Sequence, residues 1–257
     1  MTRHIPLEGI ENFRDFGGYR AGDKTVARNL LFRSAQHTLA TDEDLARVRD
    51  LNIKAIVDLR RPSERQKRPS RRWDGFTATL IEAGDEYESA LVWEDFIRTS
   101  DHSADSFRSY LTQFYQSAPL APRHIELFSR YFETLAATDG PILVHCAGGK
   151  DRTGMICALT HSLLGVHRDD MMADFLATNE HVRHDVIGPV WAKDIAAEFG
   201  REPRLENLVV AMSVEPQYLD AAFYVMCENF GSVDGYLERA LGVDAKRRAA
   251  IEARLLM

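Results

Sequence analysis

Short apolar runs and longer amphipathic stretches take turns along the first two-thirds of this chain. Asn29-Leu30-Leu31-Phe32-Arg33, Ile53 to Leu59 and Phe76 to Ile81 read as strands. Thr41 caps a helix carrying Leu45, Val48 and Leu51, and Asp42, Glu43 and Asp44 suit its positive end. Ile125, Phe128, Phe132 and Leu135 recur at helical spacing, which predicts an amphipathic helix over Pro122 to Ala137. Gly140-Pro141 ends it and opens a further strand, Pro141-Ile142-Leu143-Val144-His145. Strands interleaved with helices predict an α/β fold, a central mostly parallel sheet flanked by helices.

Beyond residue 166 the pattern turns wholly helical, with helices expected over Asp169 to Asn179, His181 to Phe199 and Pro216 to Asn229, then two short pieces. Leu219, Ala222, Phe223 and Met226 make one apolar stripe, stopped by Gly231 and expected to pack on the α/β body. The expectation is a single domain over 1–257: an α/β body over about 1–166 and a helical C-terminal extension over about 167–257. The acidic, weakly periodic stretch from Ala83 to Ser106 is expected to be a lid or surface excursion.

Composition narrows the class. A chain of 257 residues, 45% hydrophobic and 28% charged, can bury a sizeable core. Its net charge of −7 argues against a nucleic-acid partner. No stretch approaches the roughly 20 apolar residues of a membrane span, so no stable membrane insertion is expected. Met1-Thr2-Arg3-His4-Ile5-Pro6 lacks the apolar core of a signal peptide, so cytoplasmic residence is the expectation. Export and oligomeric state stay open.

Three cysteines make no disulfide framework in a chain this long. Cys157 and Cys227 sit among apolar helical neighbours and are expected to be buried. Cys146 differs. It opens the run Cys146-Ala147-Gly148-Gly149-Lys150-Asp151-Arg152-Thr153-Gly154, with an arginine six positions on. Small residues let successive N–H groups of Ala147, Gly148 and Gly149 point inward as an anion nest, and a helix starting near Arg152 adds its positive end. These donors favour a thiolate. Arg152 offers a planar fork matched to two phosphate oxygens. A nucleophilic sulfur beneath a bound phosphate implies attack at phosphorus and a phosphocysteine intermediate. Thr153 can donate to the sulfur, and His145 is expected to order the loop. Lys150 reads either as a second cation at the rim or as a solvated lysine.

A nucleotide-binding loop would need glycine where Val144 stands and Ser or Thr where Asp151 stands. A zinc site lacks close-spaced further ligands. Sulfur transfer also uses a cysteine loop, but Arg152 and Thr153 suit phosphate better.

From His145-Cys146 to Arg152-Thr153 the loop resembles the signature of cysteine-dependent protein tyrosine phosphatases. Its Gly149-Lys150-Asp151-Arg152 form is similar to that of bacterial tyrosine/serine phosphatases that also hydrolyse phosphoinositides. Asn12 to Tyr19, Leu31 to Ala35, Ile56 to Arg60 and Asp174 to Asn179 resemble other segments of that family. The resemblance implies a phosphatase fold with a helical C-terminal extension, no metal or other cofactor, and a phosphorylated protein or phosphoinositide as substrate partner. It also implies that Asn12 to Tyr19 pack near the site, although the turn chemistry of Asn12, Arg14 and Asp15 favours a structural role.

A proton donor to the leaving group is missing from the place, roughly thirty to forty residues before the cysteine, where many relatives keep one. No aspartate lies between Ser106 and Thr138. Asp151 lies inside the loop, so it is expected to act as general acid and then as base. The runner-up is Asp58, ending a strand of the same sheet, for which a structural bond to Arg60 is the stronger expectation. Arg60 and Arg61 either extend the cationic rim or are solvated. A binding module without turnover is the other functional class, and the intact Cys146, Asp151, Arg152 and Thr153 argue against it.

Overall fold

Among the described residues, seven strands carry the frame: β1 (Arg14–Asp15), β2 (Arg20–Ala21), β3 (Lys24–Thr25), β4 (Leu31–Ser34), β5 (Ala55–Asp58), β6 (Thr79–Glu82) and β7 (Ile142–His145). The computed structural model describes residues 3–84 and 93–257. Five strands form one sheet in the order β1-β4-β7-β5-β6, parallel apart from β1, and β2-β3 make a small ribbon. β7 is central. Its last residue, His145, is level with Ser34 on one side and Asp58 on the other. The chain therefore leaves the middle of the sheet at its carboxyl edge, where open α/β sheets place their sites.

Alternate residues on these strands serve opposite faces, as the pleat requires. Leu31, Val57, Ile142 and Val144 join one buried cluster, while Phe32, Ile56 and Leu143 join another. The second face is covered by the N-terminal segment and α1 (Asp42–Asp50), whose Leu45 and Val48 are buried. Thr41 caps α1 in a reciprocal capping box with Asp44.

The other helices are α2 (Pro62–Lys67), α3 (Trp93–Thr99), α4 (Ala104–Ser117), α5 (Pro122–Ala137), α6 (Asp151–Leu164), α7 (Arg168–Leu176), α8 (Thr178–His181), α9 (His184–Phe199), α10 (Leu205–Met212), α11 (Pro216–Phe230), α12 (Val233–Arg239) and α13 (Ala245–Leu255). Of these, α4 to α7 and α11 to α13 bury residues in the first-face cluster, while α3, α9 and α10 bury theirs in a third. α6 is buried on nearly every side, which suits its run Met155 to Leu159, and Gly165 ends it in the left-handed conformation. Tyr218, Leu219, Ala222, Leu237 and Ile251 belong to the same cluster as Val144 and Ile156, so the C-terminal helices share the core of the sheet. Thr25 and Met257 exchange backbone hydrogen bonds of 3.0 Å, tying the two ends together.

Several expectations shift. The third strand starts at Thr79, because Phe76 turns back to hydrogen-bond Trp73. The helix expected from His181 breaks at Val182, which is extended, and restarts at His184. α4 and α10 were not anticipated, although Phe107, Tyr110, Leu111, Phe114 and Tyr115 do carry a helical stripe. Of the expected lid, residues 85–92 lie outside the described residues, 93–99 form α3, and 104–106 begin α4. Cys157 is buried as expected, but Cys227 is exposed because it stands off the Leu219-Ala222-Met226 stripe. Among the described residues no helix is long and apolar enough to cross a membrane.

Candidate active site

β7 is fully buried, and the turn after it hangs over the sheet edge before α6 begins at Asp151. Gly149 makes the turn possible. Its φ is +64°, and a Cβ there would lie 2.4 Å from the Ser34 carbonyl carbon and oxygen. Two donors hold its carbonyl: Asn12 Nδ2 at 2.8 Å and Arg33 Nη2 at 2.9 Å. The Gln36 N–H holds the Ala147 carbonyl at 3.1 Å. In a trans peptide the next N–H points the opposite way, so these bonds turn the Gly148 and Lys150 N–H groups toward the cavity side.

The holders are themselves anchored. Arg33 donates to Asp174 Oδ2 at 2.7 Å, and Arg14 donates to Asp174 Oδ1 at 3.3 Å and to its carbonyl at 2.8 Å. All three side chains are buried. Burial opposes the charge on Asp174, but the two guanidiniums hold its carboxyl well below the usual range. Asn12 and Arg14 thus have the structural role expected of them, and they exercise it on the loop.

Cys146 is buried at the base of a cavity of about 600 Å³, which Ala147, Gly148, Lys150, Asp151 and Arg152 also line. Trp93, Tyr110, Leu111, Phe114, Trp191 and Ile195 give it apolar walls. Arg152 does not stand alone. Glu64 accepts from its Nη1 at 2.7 Å and its Nη2 at 2.8 Å, and the Leu59 carbonyl accepts from Nη1 at 3.1 Å. That leaves Nε–H and the second Nη2 hydrogen, the parallel pair on the guanidinium side edge, without an acceptor among the described residues. Burial works to raise the Glu64 carboxyl, but the Arg152 charge overrides it and holds Glu64 at about 2.

Asp151 Oδ1 accepts from Tyr115 Oη at 3.0 Å and from Lys150 Nζ at 2.8 Å. Lys150 is therefore neither solvated nor a free rim cation: it is buried and paired, although it still lines the cavity. The Thr153 hydroxyl is buried with no hydrogen-bond partner among the described residues, so the expected bond to the sulfur is not formed in this arrangement.

Beneath the loop, His145 stacks on His37 at 5.1 Å, and its Nδ1 lies 3.3 Å from the Cys146 carbonyl. Burial lowers His145 to about 4, which leaves it neutral at pH 7. Asp58 lies 3.6 Å from His145 Nε2, beyond hydrogen-bond reach, and is gripped by Arg60 at 2.6 and 2.9 Å. Burial opposes its charge, yet His145 and Arg60 keep it ionised far into acid. A carboxylate so held has no proton to give, and Asp58 does not line the cavity, so the runner-up acid is set aside. Arg60 is buried against Asp58, Gln36, Ser70 and the Arg68 carbonyl, so it is neither a rim cation nor solvated. Arg61 does line the cavity, paired with Glu64 and Glu94.

Tyrosine phosphatases match this chain over residues 5–257. The chain belongs to the tyrosine phosphatase family. A Cupriavidus necator protein named "putative tyrosine-protein phosphatase" is 30% identical over 247 residues, covering 94% of this chain and 86% of its own length. The triple specificity protein phosphatase PtpB of Mycobacterium tuberculosis is 30% identical over 260 residues, 91% of this chain and 92% of PtpB. The solved structure of TpbA from P. aeruginosa is 16% identical, with a TM-score of 0.33 over 76% of this chain and 96% of that one. The enzyme is accordingly a protein-tyrosine phosphatase.

Sequence reading had already assembled Cys146, Asp151 and Arg152. It missed Glu64, Tyr115, Arg33 and Asp174, each of which acts on the loop from far along the chain. Arg61-Pro62-Ser63-Glu64 does carry a local helix-start signal, with Pro at the first position and Glu at the third, but nothing local pairs Glu64 with Arg152.

Proposed function

We propose that this phosphatase hydrolyses phosphotyrosine through a phosphocysteine intermediate, with Cys146, Asp151 and Arg152 as its catalytic residues. The Cys146 thiolate attacks phosphorus in line with the tyrosyl oxygen. The loop N–H groups and the free edge of Arg152 hold the non-bridging oxygens as charge develops there. Asp151 gives its proton to the departing phenolate oxygen as the P–O bond breaks. In the second step Asp151 takes a proton from water, whose oxygen attacks phosphorus, and the P–S bond breaks to release phosphate and the thiolate. Thr153 is positioned to steady that thiolate once the loop is loaded.

One observation carries the reading: Cys146 lies under a loop whose Ala147 and Gly149 carbonyls are pinned outward, and the Asp151 carboxylate lines the same cavity. The apolar, aromatic walls favour an aryl phosphate. Phosphoserine, phosphothreonine and phosphoinositides are the wider range to test, since PtpB is named for triple specificity. The whole chain over 1–257 works as one unit in this reading, because α11 to α13 share the core beneath the loop.

Turnover of para-nitrophenyl phosphate, blocked by vanadate and retained in chelator, is the expected result. Cys146→Ser should abolish turnover and still bind phosphate analogues. Retained turnover in Cys146→Ser would overturn the mechanism. A panel of phosphotyrosine peptide, phosphoserine peptide and phosphoinositide then ranks the substrates.

A further inference from the structure

Three ion pairs cross the cavity mouth, and all three have the same polarity. Arg61 Nη2 meets Glu94 Oε1 at 2.7 Å, Lys67 meets Glu198, and Arg68 meets Asp194. The cations belong to α2 and its flanks, which form the floor behind Arg152. The carboxylates belong to α3 and α9, which form the roof. All six side chains line the cavity.

The roof has a buried cluster of its own, formed by Ile97, Phe107, Ala192, Ile195, Leu208 and Met212, although Trp93 and Phe96 of α3 also pack against the larger sheet cluster. The pairs joining roof to floor stand near solvent: Glu198 and Asp194 are 41% and 45% exposed. Ion pairs this exposed contribute little to stability, so a competing anion can displace them. Glu94 Oε2 is buried without a hydrogen-bond partner among the described residues, so within them that carboxylate is only half satisfied.

We propose that Arg61, Lys67 and Arg68 form a second anion subsite, one that reads acidic residues flanking a phosphotyrosine, and that Glu94, Asp194 and Glu198 hold it in the substrate's absence. The inference rests on the phosphotyrosine reading above. The cations already hold carboxylates, Arg61 two of them (Glu64 and Glu94), so the substrate group that replaces the roof carboxylates at least cost is another carboxylate. Their spacing suits a peptide. The backbones of Arg61, which caps α2, and Lys67, its last residue, are about 9 Å apart along the helix axis at 1.5 Å per residue. That distance spans about three residues of extended chain. A compact group such as a single inositol ring would need the cations to converge on one point. In a protein of net charge −7, the three cations draw an acidic peptide only as their own carboxylates are displaced.

The experiment compares kcat/KM for phosphotyrosine peptides with glutamate, glutamine and lysine flanks, and for a soluble inositol polyphosphate. A small aryl phosphate is measured alongside. Three proteins are used: native, a roof variant (E94Q/D194N/E198Q) and a floor variant (K67Q/R68Q). Each readout is a ratio of substrates within one protein, so a general loss of activity cancels.

The native protein should prefer the glutamate peptide over the glutamine peptide by about fivefold at low salt, and that preference should shrink as salt screens it. The roof variant should widen the preference, because the cations are released. The floor variant should bring the ratio near one. A ratio that is flat in all three proteins overturns the inference. So does a roof variant that gains only on the inositol polyphosphate. If the native protein turns over no aryl phosphate, the functional reading fails instead, which separates the two.

Discussion

Arg152 and Glu64 meet through two parallel hydrogen bonds of 2.7 and 2.8 Å, and the pair sets which edge of the guanidinium faces the substrate. Glu64 takes the end of the fork, so the side edge, Nε–H with one Nη2 hydrogen, is left for phosphate. Glu64→Gln keeps the shape and removes the charge. KM for an aryl phosphate should rise about tenfold with a smaller fall in kcat, because one bidentate anion contact loses its aim. Steady-state kinetics on folded protein checks this, and an unchanged KM would remove Glu64 from the site.

Tyr115 and Lys150 both donate to Asp151 Oδ1, leaving Oδ2 as the oxygen that can carry the transferable proton. Tyr115→Phe should therefore hurt most where the leaving group needs protonation. The loss in kcat/KM should be about tenfold on phenyl phosphate and clearly less on para-nitrophenyl phosphate. Equal losses on both would mean that Tyr115 supports the cavity and not the proton transfer.

Gly149 and Gly148 are adjacent, but they should differ sharply on substitution. Gly149→Ala puts a Cβ into the Ser34 backbone at φ +64°, so the loop must move, and kcat/KM should fall by about a hundredfold or more. At Gly148 a Cβ meets only the Lys150 side chain, at 3.6 Å. Gly148→Ala should keep kcat/KM within about tenfold of native. Similar losses in the two variants would argue against the strained position of Gly149.

Asp174 stands between two buried arginines, Arg14 and Arg33. Asp174→Asn strips their shared charge partner and should cost about 3–5 kcal/mol in urea unfolding at pH 7. A cost under about 1 kcal/mol would show that the arginines find other partners.

Acid should destabilise the protein before its carboxylates titrate. Burial lowers His145 to about 4 and His124 to about 3, against an unfolded value near 6.5. The folded state thus binds fewer protons than the unfolded state in this window. The stability these groups contribute is complete above about pH 6.5 and is lost as pH falls toward 4. Glu64, held at about 2, adds a further loss below about pH 4.5. Denaturant unfolding measured at pH 7, 6 and 5 should show a steady decline, and a flat profile would contradict the buried neutral histidines.

Much of this protein was legible in one dimension. Apolar spacing located β4, β5 and β7, the capped helix α1 and α5, because each of these elements buries a face that local sequence must encode. The loop from Cys146 to Thr153 was equally plain, since nucleophile, glycine turn, acid and arginine follow one another along the chain. The α4 stripe was there to be read too. It falls in the gap between the expected lid, which ends at Ser106, and the helix expected from Pro122.

What the sequence could not fix was which distant side chains touch. Asp58, two positions back, marks Arg60 as its partner, but nothing local sets Arg61 at the cavity mouth against Glu94, 33 positions on. Glu64 reaches Arg152 across 88 positions, and Tyr115 reaches Asp151 across 36. Sequence by itself determined the chemistry of the loop, because covalent order sets that chemistry. Only the tertiary structure decided how the loop is aimed: the carbonyl of Gly149, the free edge of Arg152 and the open oxygen of Asp151 are all set by partners that parallel strands and packed helices bring together.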